Sequence, residues 1–531
     1  MKNKKLYRFL LCALLIAAAS TLHAQTYTDI HDFVGTDGCC ANYPGMMAQG
    51  EDGNIYGATS SGGKLGGGAV FKITPSGTFT DIYDFDGTHG EYPQGGLSMG
   101  TDGNFYGTTY QGGAHSHGVV FKVTPAGAYT DLYDFAGTGD GAYPRVPPVM
   151  ASDGNLYGVT GDDTNAVLYK ITTAGVFTAI LTVPNGSYSP LILANDGNLY
   201  GTTVYGGTFN RGIVFQFSTA TKKLKTIYNF QNEGGPYGPL LQGSDNALYG
   251  TCVGGGTGSG GVVFRVTTAG VYKVLVNFTS GGANGSTPFA GLVQGSDKFL
   301  YGVTSTGGTN KLGVLFKVST TGTNYAVLFN FATATGDTPL STPLLHTNGT
   351  IYGLAYHGGS HTAYGTIYSF TNKLKPFIQP VVLKSSRVNS SVELLGQGFN
   401  TATGVLFGTG AGTLTVSSDT FATAKILAGA TTGQITVDEP GGNLLSPLSF
   451  KITPSLTTFS PTSGTVGTSV TLTGMSLSQA TAVKFGTVAA TFTVNSNTSI
   501  TTTVPTGAVT GKISVTTPGG TASTTTNFTV N

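Results

Sequence analysis

Four histidines stand in two short clusters, His115-Ser116-His117 and His357-Gly358-Gly359-Ser360-His361, and imidazole is a common ligand for zinc and related ions. A metal site needs three or four converging donors, so His89, Glu91 and Asp140 are the neighbouring residues that would complete one. The plainer reading is that His115, His117, His357 and His361 are solvated loop residues. Glu91 and Asp140 also raise the question of glycoside cleavage, which uses two carboxylates facing a cleft at a defined separation. The other acids in comparable loops are sparse: Asp37, Asp86, Asp162, Asp163, Glu233 and Asp337.

A different chemistry is open to Tyr92, Tyr110, Tyr143 and Arg145, with Tyr43 and Tyr237 in related loops. Exposed tyrosines stack on sugar rings or pack against a protein partner, yet the same residues suit wedges between neighbouring repeats. Both readings stand at this point. Asp-Gly-Asn turns offer too few oxygens for calcium and read as tight hairpin turns. The chain has no nucleophile elbow, phosphate-cradling loop or zinc-protease helix, and its residues imply no cofactor.

The elements that must position these side chains come from a repeat. Tyr-Gly pairs recur at Tyr56, Tyr106, Tyr157, Tyr200, Tyr249, Tyr301 and Tyr352, in steps of 50, 51, 43, 49, 52 and 51 residues. One copy, residues 95–135, contains four runs of β-forming residues separated by turn chemistry. Strands are expected near Gly96–Gly100, Asn104–Tyr110, Gly118–Thr124 and Ala128–Phe135. Seven third strands can be counted but only six fourth strands follow them. The missing copy is TYTDIHDF at Thr26–Phe33, which matches TFTDIYDF at Thr78–Phe85. The displaced copy predicts an all-β fold: a seven-bladed β-propeller over residues 25–375, closed by its N-terminal strand. In such a ring the long loops that enter each blade share a face with the glycine-rich loops inside it. An open solenoid with a cap strand is the alternative.

The phrase DGNxYGxTxxGG followed by GxVFKxTPxG resembles the GloVer-type tandem repeat of bacterial secreted proteins, over about residues 26–372. It is complete at Asp52-Gly53-Asn54, Asp102-Gly103-Asn104, Asp153-Gly154-Asn155 and Asp196-Gly197-Asn198, and drifts in later copies. The resemblance implies the repeat and no particular chemistry. Beyond Pro376 two units repeat at an offset of 78 residues, Phe407-Gly408 matching Phe485-Gly486 and Phe450 matching Phe528. Each reads as a small immunoglobulin-like β-sandwich, residues 376–453 and 454–531. The second, with FSPTSGTVGTSVTLTG, resembles an IPT/TIG domain, which implies a spacer or interaction module.

Residues 1–24 read as a secretory signal peptide: three lysines precede an apolar run from Phe9 to Ala19, and the segment ends in Leu22-His23-Ala24. A net charge of +1 with 10% charged residues lacks the footprint of a nucleic-acid binder, and no later stretch is long enough to span a membrane as a helix. Cys39, Cys40 and Cys252 remain after the signal; one bridge to Cys252 is possible, and unpaired thiols are the expectation. The function expected is non-catalytic binding of a glycan or protein, outside the cell or at its surface. A carbohydrate-active enzyme using Glu91 and Asp140 and a structural surface-layer component are the alternatives.

Overall fold

The computed structural model describes residues 25–40, 45–161, 166–183 and 189–531. The expected signal peptide, Tyr43-Pro44 and the pair Asp162-Asp163 lie outside the described residues. Threonine, valine and aromatic residues between glycine turns favour extended backbone, and the protein is all-β. Its helical elements, among the described residues, are the short 3-10 turns Thr333–Thr335 and Phe399–Thr401.

Up to residue 371 the described residues form seven four-stranded antiparallel sheets. The second consists of Ser98–Met99, Phe105–Thr108, Val119–Val123 and Tyr129–Asp134, each within the span expected for it. The last sheet combines Leu344–Leu345, Thr350–Ala355 and Thr366–Thr371 with the N-terminal strand Thr26–Asp32. Thr26 lies opposite Thr371 and Asp32 opposite Thr366, so the displaced copy occupies the outer position that the sequence leaves vacant.

The Tyr-Gly marker has a physical cause. In the second sheet the Tyr106 hydroxyl donates to Asp102 Oδ2 at 2.6 Å, and Asn104 Nδ2 donates to the same oxygen at 2.8 Å. Tyr56, Tyr157, Tyr200, Tyr249 and Tyr301 repeat the bond to their own turn aspartates at 2.7–2.8 Å. In the seventh copy Asn348 Nδ2 donates to the Tyr352 hydroxyl instead, at 3.3 Å. The tyrosine rings are 0–2% exposed, so a lost partner would leave a desolvated hydroxyl. The following glycine makes room for an aromatic ring from the next strand. A methyl group on Gly107 would fall within the Phe121 ring, and Gly57 with Phe71 and Gly353 with Tyr368 repeat the arrangement.

Apolar packing runs from sheet to sheet. Tyr56, Leu97, Phe105 and Phe121 join the first to the second. Equivalent clusters link each later pair, and Phe33, Phe71, Tyr352 and Ile367 join the seventh back to the first. Stacked rings reinforce the outer edge: Tyr83 on Tyr129 at 4.1 Å, Tyr133 on Phe177 at 3.9 Å, Tyr228 on Tyr272 at 4.1 Å. The N-terminal strand continues this series on both sides, through Tyr27 on Phe329 at 3.8 Å and His31 on Phe79 at 3.9 Å. The architecture is propeller-like.

The C-terminal segment holds two units of matching strand order. Ser391–Leu395, Gly404–Phe407, Phe421–Ile426 and Ile435–Asp438 correspond to Ser469–Met475, Ala482–Phe485, Ser499–Thr503 and Ile513–Thr517. Each has its own apolar core, around Phe399, Phe407 and Phe450 in one and Phe485, Ile500 and Phe528 in the other. In the second unit the strands divide into two four-stranded sheets. In the first the continuous strand Gly410–Val416 bridges the two layers, giving a seven-stranded sheet.

The first unit sits on the hairpin-turn side of the seven sheets. Thr420 Oγ1 donates to Glu51 O at 2.6 Å, Thr347 Oγ1 to Gly396 O at 3.0 Å, and Gln397 Nε2 to Thr347 Oγ1 at 3.0 Å. Cys39 and Cys40 form a vicinal disulfide and Cys252 is a buried thiol. The sequence expectation of unpaired cysteines is thereby corrected: Cys252 is enclosed in the fifth sheet and the adjacent pair closes on itself.

Two substitutions separate the parts of the marker. Tyr106→Phe removes one hydrogen bond and is expected to cost about 1 kcal/mol. Gly107→Ala forces the Phe121 ring to move and is expected to cost more, about 1–3 kcal/mol. Urea unfolding of the two variants against the parent measures both, and the reverse ranking would contradict the steric argument.

Candidate functional site

The loops opposite the hairpin turns are built from paired backbone. Glu91 and Gln111 exchange hydrogen bonds at 2.8 and 3.1 Å, joining the loop that enters the second sheet to the glycine-rich loop within it. Cys39 with Ser61, Ser286 with Thr306 and Asp337 with His357 form the same bridge elsewhere. Glu233 pairs likewise with Gly255 in the fifth sheet, so the expected sharing of a face by these two loop types is observed in five repeats.

Outer-strand acids and amides hold the glycine-rich loops. Asp134 Oδ1 accepts the Ala114 N–H at 2.7 Å, Asn229 Oδ1 that of Thr208 at 2.9 Å, and Asp32 Oδ2 that of Ser360 at 3.0 Å. The N-terminal strand thus supplies a loop support as well as a sheet edge. Two partners of these supports were missed by sequence reasoning. Burial, with the charge of Asp32, pushes the Asp29 carboxyl up to about 7. Burial likewise brings Asp131 up to about 6, Asp134 adding to it against the Tyr129 hydrogen bond. Their signal was the Asp-x-x-Asp spacing in TYTDIHDF and AYTDLYDF.

A second constraint acts on the residue before proline in the entering loops. Tyr92 and Tyr143 have φ of 58° and 54°, the left-handed region. Thr287 and Thr338 take the same conformation, at 58° and 52°, before Pro288 and Pro339. Such values are uncommon for side chains other than glycine, asparagine or aspartate, and a β-branched residue there is strained. In each case the N–H is used: Tyr92 donates to Gly67 O, Tyr143 to His117 O, Thr287 to Gly260 O and Thr338 to Leu312 O, at 2.7–3.0 Å. The following proline does the packing. Pro93, Pro144, Pro288 and Pro339 lie against Gly68, Gly118, Gly261 and Gly313 of the preceding sheet, so closely that a β-carbon there would be 2.7–2.9 Å from the proline ring.

Tyr110, Tyr143 and Arg145 come together through their side chains. The Arg145 guanidinium carbon lies 4.3 Å from the Tyr110 ring centre, Nη2 donates to the Tyr110 hydroxyl at 3.2 Å, and Nη1 to Gln94 Oε1 at 3.2 Å. The Tyr143 ring is 5.3 Å from Tyr110 and 5.3 Å from His117. Tyr92 joins through its backbone, its carbonyl accepting the Tyr110 N–H at 3.0 Å, and its side chain stays exposed at 37%. Among the described residues Glu91 is attached by its backbone pairing with Gln111. Tyr237 instead meets Phe289, ring centres 5.4 Å apart.

Asp140 is tied to its own loop. Its carboxylate accepts from the Tyr133 hydroxyl at 2.9 Å and from the N–H groups of Ala136 and Thr138 at 2.7 and 3.0 Å. Burial alone would raise its pKa, but these hydrogen bonds outweigh it and hold the carboxyl below its ordinary value. Asp140 thus fastens its own loop.

The four histidines are likewise not drawn into one donor set. His115 is exposed, His117 packs on Tyr143, His357 Nδ1 is 3.9 Å from Asp337 Oδ1, and His361 Nδ1 is 3.1 Å from Ser360 Oγ. Among the described residues no group of three or more His, Cys, Asp or Glu side chains is arranged to hold a metal ion. Sequence reasoning also passed over Tyr205 and Phe209, each 47% exposed, in the glycine-rich loop of the fourth sheet. Tyr205 directly precedes Gly206-Gly207, the place held by Gln111 and His357 in other repeats, and that alignment was the available signal.

The model of the Gloeobacter/Verrucomicrobia repeat matches residues 19–188 and 182–368, and that of the IPT/TIG domain matches residues 454–530. No curated protein matches the chain. Among solved structures, an oligogalacturonate lyase from Vibrio parahaemolyticus is 12% identical, covering 66% of this chain and 94% of its own, with a TM-score of 0.44. A putative 6-phosphogluconolactonase from Bacteroides uniformis is 13% identical, covering 57% and 89%, with a TM-score of 0.42. A surface glycan-binding protein from Prevotella bryantii is 20% identical over 29% of this chain and 41% of its own, with a TM-score of 0.23.

The two kinds of carboxylate have opposite pH signatures. Asp140, depressed in the folded state, stabilises above its unfolded pKa, and that contribution is lost as pH falls through the folded value. Asp140→Asn is expected to cost about 1 kcal/mol at pH 7, with faster amide exchange at Ala136 and Thr138, and much less at pH 3. Asp29, raised in the folded state, costs stability increasingly as pH climbs from its unfolded value to about 7. Asp29→Asn is therefore expected to melt higher than the parent at pH 8 and equally at pH 4, a contrast that thermal melts at the two pH values measure.

Proposed function

The chain belongs to the Gloeobacter/Verrucomicrobia repeat family, and we propose that it is an exported, non-catalytic binding protein whose loop face engages a glycan. In this reading the seven sheets are the blades of a closed seven-bladed β-propeller, residues 25–375. Residues 376–453 and 454–531 are two immunoglobulin-like domains that hold the ring away from whatever anchors it.

One observation carries the proposal. The strained entering loop is built equally well with Thr287 or Thr338 as with Tyr92 or Tyr143, because its N–H and the following proline make the structural contacts. The loop does not require tyrosine rings. Where they occur, the Tyr143 ring stands beside Tyr110, over which Arg145 lies, and the Tyr92 side chain is exposed on the same loop face, an assembly of aromatic faces and a fixed guanidinium. Sugar rings present C–H faces to aromatic planes and hydroxyls to such donors, which makes a glycan the fitting ligand. Hydrolysis or elimination gains no support from this face, since Asp140 is committed to its own loop.

A glycan array probed with residues 25–531 tests the reading. Binding of a defined glycan class is expected, with affinity falling about tenfold or more in Tyr92→Ala and Tyr143→Ala at unchanged melting temperature. Silence of the parent across the array, or full binding by the doubly substituted protein, would refute the assignment.

A further inference from the structure

On the opposite side of the ring the structure forms a second, half-open space that the loop-face reading does not use. A cavity of about 360 Å³ lies where the innermost two-residue strands converge, covered by the first C-terminal unit. Ile192, Leu241, Val293 and Leu344 represent four of the sheets in its wall, and Phe377 and Leu383 close it from the C-terminal side. The volume is within the range of small-molecule sites, and the wall is dominated by aliphatic side chains.

Its polar groups are mostly committed. Gln242 Oε1 accepts the Asn195 N–H at 2.8 Å, Gln294 Oε1 accepts that of Ser244 at 2.8 Å, and Thr342 Oγ1 accepts that of Gly291 at 3.0 Å. Lys384 is different. It is the one charged residue lining the cavity, and its ammonium has neither a hydrogen-bond acceptor nor an ion-pair partner among the described residues. Among the described residues no carboxylate lines the same wall. An ammonium set against apolar surface without a counter-charge is costly, and burial pulls this one below the ordinary lysine value. The cost is relieved by any ligand that brings an anion.

We infer that this cavity is a binding site for an amphipathic carboxylate, a medium- or long-chain fatty acid anion, its chain among the inner strands and its head group on Lys384. The charge is supplied by the C-terminal unit and most of the apolar wall by the ring, so occupancy couples the two. The site is independent of the loop face, and either assignment stands or falls alone.

Residues 25–531, stripped of bound lipid on a hydrophobic resin, are titrated with dodecanoate by calorimetry at pH 7, with dodecanol as the uncharged control. One equivalent of dodecanoate is expected to bind, dodecanol at least about tenfold more weakly. Lys384→Met should abolish that preference while retaining the dodecanol affinity, and Lys384→Arg should restore it. Leu241→Trp, which fills the cavity while leaving the charge, should remove binding of both. Absence of dodecanoate binding, equal binding of dodecanoate and dodecanol by the parent, or an undiminished preference in Lys384→Met would each overturn the inference.

Discussion

The contact on which the rest of this structure depends is that between a glycine and the aromatic ring laid over it within each sheet. Because Gly107, Gly57 and their equivalents carry no side chain, the tip of the neighbouring strand's ring comes close against their backbone, and the tyrosine beside the glycine points the other way. That tyrosine reaches the turn aspartate, and its ring packs on the next sheet in the series. One dipeptide therefore sets three distances at once: within the sheet, between the sheet and its turn, and between neighbours. A repeat of about 50 residues with few charges is held in register by this means, where a larger core would ordinarily do so.

The two ends of the ring are built on different principles. On the loop side, backbone pairs and capping carboxylates leave side chains such as Tyr92, Tyr205 and Phe209 uncovered. On the turn side the C-terminal unit is fixed by hydrogen bonds from Thr420, Thr347 and Gln397 and covers an apolar interior. Polar recognition suits the first and enclosure of an apolar chain suits the second.

Much of the fold was legible because its signals are local. Tyr-Gly spacing marked the sheets, and the duplicate of TFTDIYDF at Thr26–Phe33 identified the strand that completes the last one. The site was less legible because its geometry depends on backbone conformation. Thr287-Pro288 and Thr338-Pro339 share the left-handed loop of Tyr92-Pro93, but without the tyrosine nothing in the letters aligns them. Asp140 looked like a free acid since two of its three partners are the N–H groups of Ala136 and Thr138, which no sequence displays, and the third, Tyr133, lies on the preceding strand. The cavity was invisible for a related reason. Its walls come from two-residue strands too short to show a period, brought together from sheets far apart in the chain.

The pairing of Thr26–Asp32 with Thr366–Thr371 also imposes an order on biogenesis. Thr26–Asp32 precedes the six sheets that separate it from its partner and can pair only after more than 300 further residues have emerged. Until then Tyr27 has no ring to stack on and the strand presents an unpaired edge, the kind of surface that recruits wrong partners. The six intervening sheets are hairpin-connected and pair locally, so they can form as they appear, and closure becomes the slow, long-range step. Vulnerability to aggregation is thus concentrated in a short window of the protein's life, and at one seam.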